Sequence, residues 1–458
     1  MKFVKFIIPA LVALTGCQKY VDIKTQGQLV PGATENYRYL LNDNYTFEQW
    51  VRLPDIASDD IHIKDQTQMD QLLAFSSYLY YTNTYTWQNA IYTVPGDTDP
   101  DWDRMYKVIY NANLIITETP GSTGGTEAEK AEIIAEAKVH RADAYLTLVN
   151  MYAKPYNAGS AATDPGVPLL TTPTMDAPLT RNPVATVYEQ ILADLSSAYP
   201  VLPPTNTFKI LPSKAAAFAL LARTHLYMSN AAEAGRWADS ALKIQNTLND
   251  LATLSTFDYP VRLSDPELIL SRLAGESYTY GPRVLRLSDS LLNLLGTDDL
   301  RYTFFTTAGT DFDASFTGRF FNKERIGNWE TRNIGPSVPE MMLIKAEALA
   351  RAGDATGALT LVNNLRRKRF TADTYTAITA ANAQEALVEV IKEKQRELFC
   401  RGLRWYDMRR LKDEPAFSHT ITREFNGNTY TLAPNSNRYV FPIADYYRTF
   451  NPGITNNP

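Results

Sequence analysis

Residues 219–244 read ALLARTHLYMSNAAEAGRWADSALKI, and residues 343–368 read LIKAEALARAGDATGALTLVNNLRRK. At a constant offset of 124, Ala222, Leu226, Ser229, Ala234, Ala238 and Ala241 fall on Ala346, Ala350, Gly353, Ala358, Val362 and Leu365. Small residues recur where two antiparallel helices must approach closely, and a Ser/Asn or Gly/Asp turn stands between them. This is the helix–turn–helix logic of the tetratricopeptide repeat, with generic alanine-rich hairpins as the alternative. The two pairs are separated by non-repeat sequence, so the array is not a clean tandem one. The expected fold is mainly α: a tetratricopeptide-like helical repeat scaffold with large irregular insertions and a few short strands.

Working outward, helical patterns cover Trp102–Glu118, Thr126–Tyr152, Val184–Tyr199, Lys214–Met228 and Ala231–Gln245. They resume at Pro339–Ala352, Ala355–Phe370, Ala383–Arg401 and Trp405–Leu411. Lys154–Pro183 is rich in Pro, Thr and Gly and reads as a long loop. Leu248–Pro336 mixes turn signals with aromatics. The tail offers two short strands, Thr429–Leu432 and Arg438–Phe441.

Composition excludes several function classes. With 45 Lys+Arg against 50 Asp+Glu, the net charge is −5, and no basic block suits nucleic acid. The four histidines stand singly and Cys17 is far from Cys400, so no zinc, haem or iron–sulfur pattern assembles. No Gly-x-Ser-x-Gly elbow, Walker loop or His-Glu-x-x-His occurs. The chain therefore reads as a non-enzyme without cofactor or metal. Asp97, Asp99, Asp101 and Asp103 alternate, but an EF-hand register would need Gly where Trp102 stands and Glu where Val108 stands. They read as a solvated helix start that complements the helix dipole.

The first residues form an address. Lys2 and Lys5 precede an apolar run, Phe6–Leu14, too short to span a bilayer. Leu14-Thr15-Gly16-Cys17 resembles a bacterial lipobox, which implies removal of residues 1–16 and a lipid anchor on Cys17. A plain secretory signal is the alternative. Cys400 is then left unpaired in a helical, apolar context and reads as a buried thiol.

Tyrosine is abundant, at 27 residues. Gln71–Gly96 carries no charged side chain, yet holds Tyr78, Tyr80, Tyr81, Tyr85, Trp87 and Tyr92 among amides and hydroxyls. Sugars present C–H faces that aromatics stack on and hydroxyl edges that amides bind. Tyr85, Trp87, Asn83 and Asn89 are therefore candidate ligand-binding residues, with Tyr78, Tyr81 and Tyr92 read as core. A second group, Tyr278, Tyr280 and Trp329, has Arg283 and Asn328 nearby. Phe304, Phe305, Phe320, Phe321 and Trp405 read as inward-packing.

Several segments, taken in order, resemble the SusD/RagB family of surface nutrient-binding lipoproteins. They are Tyr20–Lys24 with Pro31 and a helical Thr34–Leu41; Arg141–Leu146 with Gly166–Leu169; and Val187–Ile191 with Asp194-Leu195. Glu340–Gly353, Asn363–Arg366, Arg396–Leu398 and Gly402–Arg410 follow. Phe441–Ile443 and Asn451–Ile454 resemble the family's ending. The family commonly has Glu where Gln395 and Arg401 stand. The resemblance implies a signal peptide (1–16), an N-terminal region with the aromatic segment and first repeat helices (17–245), an irregular insertion adding to the ligand face (246–336) and a C-terminal repeat region (337–458). It further implies an outer-membrane protein, lipid-anchored and facing the exterior. Such a protein binds oligosaccharide or polysaccharide and delivers it to a SusC-like TonB-dependent transporter. Import of peptides or other nutrients on the same scaffold, and a purely structural role, are the alternatives.

Overall fold

The computed structural model describes residues 32–74, 79–174, 176, 177, 179–256, 258–275, 285–321 and 333–457. Nine scaffold helices carry the fold: α1 (Pro100–Glu118), α2 (Glu127–Tyr152), α3 (Val184–Ala198), α4 (Lys214–Tyr227), α5 (Ala231–Ile244), α6 (Val338–Arg351), α7 (Ala355–Arg366), α8 (Ala383–Leu398) and α9 (Arg404–Leu411). The first eight stack in chain order, α1 on α2, α2 on α3 and so on to α7 on α8. The stack is the tetratricopeptide-like scaffold expected from the echo, and α5 packs directly on α6 across the insertion that separates them in sequence.

The echo has a physical basis at each position. Ala222, Ala234, Ala238 and Ala241 are fully buried, as are Ala346, Ala358, Val362 and Leu365. Ser229 and Gly353 both take a left-handed backbone, with φ of 58° and 93°, at the turn of each pair. Asn230 and Asp354 then cap the second helix, accepting from the N–H groups of Glu233 and Gly357. Gly235 is small because it must be: a Cβ there would lie 2.6 Å from the Cβ of Ala348 on α6.

Family-motif residues staple the layers with buried ion pairs. Arg141 on α2 grips Asp194 on α3 through two bonds of 2.8 and 2.6 Å. Arg223 on α4 grips Glu340 on α6 at 2.8 and 2.7 Å. Glu347 on α6 collects Arg410, Arg351 and Lys394. Glu397 on α8 accepts from Arg301 and Arg369. Arg401 donates to the Asn333 carbonyl at 3.2 Å, a contact a glutamate could not make.

Helix ends follow the sequence to within a few residues. A capping box at Thr126 and Glu129 starts α2. Ile421–Phe425 and Asn428–Leu432 form an antiparallel hairpin, which contains the expected strand Thr429–Leu432. The expected strand Arg438–Phe441 is absent; Asn437–Tyr439 is a 3-10 turn, and Tyr439 and Phe441 stack on Trp405 at 5.5 and 5.4 Å. Aromatic burial had imitated a strand period. Trp405, Cys400, Phe304, Phe305, Phe320 and Phe321 are buried, as the sequence indicated. Among the described residues no helix is long and apolar enough to cross a membrane.

Candidate functional site

The uncharged aromatic segment contains the short helix Leu79–Tyr85. Tyr81 and Tyr85, four apart, share the inward face and are 3% and 0% exposed. Tyr80 and Asn83, three apart, stay half-buried on another face. Tyr80 stacks with the half-buried Tyr92 at 5.9 Å, and Asn83 donates to the Ile91 carbonyl at 2.8 Å, closing the turn between them.

Beneath this pair lies a buried polar layer. Asp101 accepts from the Arg52 guanidinium at 3.1 Å and from the backbone N–H groups of Arg52 and Leu53. Arg52 lies 5.5 Å from the Tyr80 ring centroid and donates to its hydroxyl at 3.4 Å. Asp99 caps α1 and accepts from the hydroxyls of Tyr92 and Tyr152 at 2.8 and 2.5 Å. Burial, and next the charge of Asp101, push the Asp99 carboxyl up to about 6. The expectation of a solvated acidic helix start is corrected for two of the four aspartates: Asp99 and Asp101 are buried, holding tyrosine hydroxyls and Arg52 respectively. Asp103 is exposed, accepting from Tyr447 at 2.6 Å, and Asp97 is half-buried. Among the described residues, no group of three or more His, Cys, Asp or Glu is placed to hold a metal.

Two ligand candidates prove to be core. Tyr85 and Trp87 sandwich the guanidinium of Arg423, at 4.1 and 4.3 Å from their ring centroids. The Tyr85 hydroxyl accepts from the Ile63 N–H at 3.0 Å, and the Trp87 indole donates to the Ala57 carbonyl at 3.0 Å. Trp87 is 7% exposed and has a left-handed backbone, φ 51°. Neither face is open to a ligand. Arg423 sits in the C-terminal hairpin, over 300 residues away, so nothing local could announce the sandwich. Tyr80 and Arg52 were missed as site residues; the i, i+4 pairing of Tyr81 with Tyr85 was the signal that turns Tyr80 outward.

Asn89 is exposed, and with Tyr92, Asp445 and Asn456 it lines a shallow hollow of about 20 Å³. Tyr78, Tyr278, Tyr280 and Trp329, with Arg283 and Asn328, lie outside the described residues, as does Cys17. Their described flanks converge. Gly275 lies against Arg52, where a Cβ would come within 2.5 Å of that side chain. Leu273 bridges to Asn333, and Phe321 donates to the Leu285 carbonyl.

Two family profiles match the chain. One, described as starch-binding and associating with the outer membrane, matches residues 35–226; the other, described as the SusD family, matches residues 311–458. The chain belongs to the SusD/RagB family. A SusD-like protein P38 from Formosa agariphila is 24% identical, with 78% of each chain covered. A crystal structure of a SusD superfamily protein from Bacteroides thetaiotaomicron superposes with a TM-score of 0.74 at 21% identity, covering 93% of this chain and 100% of that one. A SusD-like carbohydrate binding protein from Bacteroides vulgatus superposes at 0.69 and 20% identity, covering 92% and 97%. These likenesses share the helical scaffold. Within the SusD/RagB frame, the motif residues described above are staples of the stack, whereas the Tyr80–Tyr92 face lies outside it.

Proposed function

We propose that this SusD/RagB protein binds oligosaccharide on the face carrying Tyr80 and Tyr92 and hands it to a SusC-like TonB-dependent transporter. The observation that carries the reading is the stacked, half-buried tyrosine pair, held by Arg52 and Asp99 beneath it. A fixed aromatic platform with an exposed amide, Asn89, suits a ligand with alternating C–H faces and hydroxyls. Tyr278, Tyr280 and Trp329 are proposed to extend it, since the described flanks of their segments pair with one another and one of them, Gly275, lies against Arg52. The matching family profile is described as starch-binding, and the proposal is accordingly binding rather than catalysis. The protein is proposed to sit at the outer membrane, facing out, through a lipid on Cys17. Stacked repeats offer an extended surface for the transporter.

A glycan array with the purified protein tests the reading. Binding to one glycan class, weakened at least tenfold by Tyr80→Ala, is the expected result. Binding of peptides with no glycan retained would replace it with the peptide-import alternative. Cys17→Ser should move the protein from the membrane to the soluble fraction; continued membrane association would refute the anchor.

A further inference from the structure

A larger cleft lies next to the shallow hollow, and Asn456 lines both. It measures about 510 Å³, within the span of roughly 300–1,000 Å³ typical of small-ligand sites. Its walls are the loop after α2, the end of α4, α9 and the C-terminal tail.

The charge of this cleft is unlike that of the chain. Lys154, Arg181, Arg409, Arg410 and Lys412 line it, against Asp164 and Asp413. Three of the cations are neutralised. Lys154 pairs with Asp164 at 2.9 Å, Lys412 with Asp413 at 2.6 Å, and Arg410 with Glu347 and Asp407.

Arg181 and Arg409 are not. Arg181 spends its donors on neutral acceptors: the carbonyls of Tyr152, Pro165, Gly166 and Thr455 and the Asn457 amide. Arg409 is 2% exposed, donates to the Ala153 carbonyl, and keeps a buried Nε without a partner. Tyrosines 188, 227 and 406 surround it. Burial pulls both guanidinium groups down to about 10, which leaves them charged at neutral pH.

A buried guanidinium, Arg409, and a half-buried one, Arg181, neither paired with a carboxylate, favour an anion in the cleft beside them, because burying charge is costly unless it is paired. Three serines and five asparagines share the remaining lining with Tyr156, Tyr227, Tyr439, Pro155, Pro165 and Val440. Hydroxyl and amide groups beside aromatic rings suit a saccharide's hydroxyl edges and C–H faces.

We propose that this cleft is a second saccharide subsite, selecting a sugar unit that bears a carboxylate, a hexuronate. The choice of uronate over other carboxylates rests on the saccharide reading above; the cationic cleft itself does not.

Calorimetry with the full-length protein, using a galacturonate trimer and a neutral galactose trimer as probes, tests it. The uronate should bind at least tenfold tighter at low salt, and the gap should narrow as NaCl screens it. Asn437 is exposed at the cleft, so Asn437→Asp should fold normally. It should weaken the uronate at least fivefold and leave the neutral trimer unchanged. Arg409→Gln should act in the same direction. Equal affinity for the two trimers, or uronate binding untouched by both variants, overturns the proposal. So does tighter binding of a short peptide with a free C-terminal carboxylate. Uronate binding that Asn437→Asp weakens, with no neutral glycan bound and no effect of Tyr80→Ala, would keep the cleft and remove the aromatic face.

Discussion

The side-chain amide of Gln395 on α8 donates to the buried carboxylate of Asp60 at 3.0 Å, joining positions 335 residues apart. Asp60 also accepts from the Cys400 N–H at 3.2 Å. Burial, and next the charge of Asp59, raise its carboxyl to about 7. The family's more usual glutamate at 395 would set a second carboxylate against it. Here the glutamine supplies a donor.

Gln395→Glu should therefore destabilise the fold by about 2 kcal/mol, the scale of a buried group left unsatisfied. The pH dependence has a definite sign. The folded value of Asp60 lies above the unfolded value of about 4, so its contribution is complete below that pH and is lost as pH rises through 7. The melting temperature of the variant should fall more at pH 8 than at pH 5. An equal drop at both would show that Asp60 is not the partner.

Glu347 should give the opposite slope. Burial opposes its charge, but Arg410, Lys394 and Arg351 hold the carboxyl well below its usual range. Its contribution is present above the unfolded value of about 4.3 and is lost as pH falls toward the folded one. Glu347→Gln should cost about 3–5 kcal/mol, as breaking buried pairs does. Urea unfolding from pH 7 to pH 3 should show the wild type and variant converging. Curves that stay parallel would count against this hub.

Two aromatic substitutions should separate platform from core. Trp87→Ala removes a buried ring stacked on Arg423 and should cost about 3–5 kcal/mol. Tyr80→Ala should cost much less, because its ring is half-buried, yet should abolish glycan stacking. Thermal melts and affinity gels on the same preparations check both. A stable Trp87→Ala protein with weakened glycan binding would reverse the assignment.

Gly235→Ala should cost about 1–3 kcal/mol through overpacking against Ala348. Adding Ala348→Gly should recover much of the loss. An additive double variant would mean the helices part without strain.

The scaffold was legible because its signals are local and repeated. Ala222, Ser229 and Asn230 recur 124 residues later as Ala346, Gly353 and Asp354, with the same burial, turn and cap. The resemblance in ordered motifs carried the family. The site was less legible because its deciding contacts are not local. Trp87 and Tyr85 looked like exposed platforms in an uncharged segment, and only Arg423, folded in from the tail, makes them core. The burial of Asp99 and Asp101 was hidden because their partners Tyr152 and Arg52 come from other elements.

The direct seat of α5 on α6 has a consequence for how such a protein diversifies. The chain leaves the stack at Ile244 and re-enters at Val338 on the neighbouring helix, so the intervening sequence departs from and returns to nearly one place. Closing a loop between fixed ends grows dearer only slowly, by about 0.6 kcal/mol for each doubling of its length. Exchange or lengthening of that excursion can therefore retune what is recognised while the load on the helices hardly changes. The stack acts as a chassis with a cassette, and new specificity need not be reconciled with stability each time it arises.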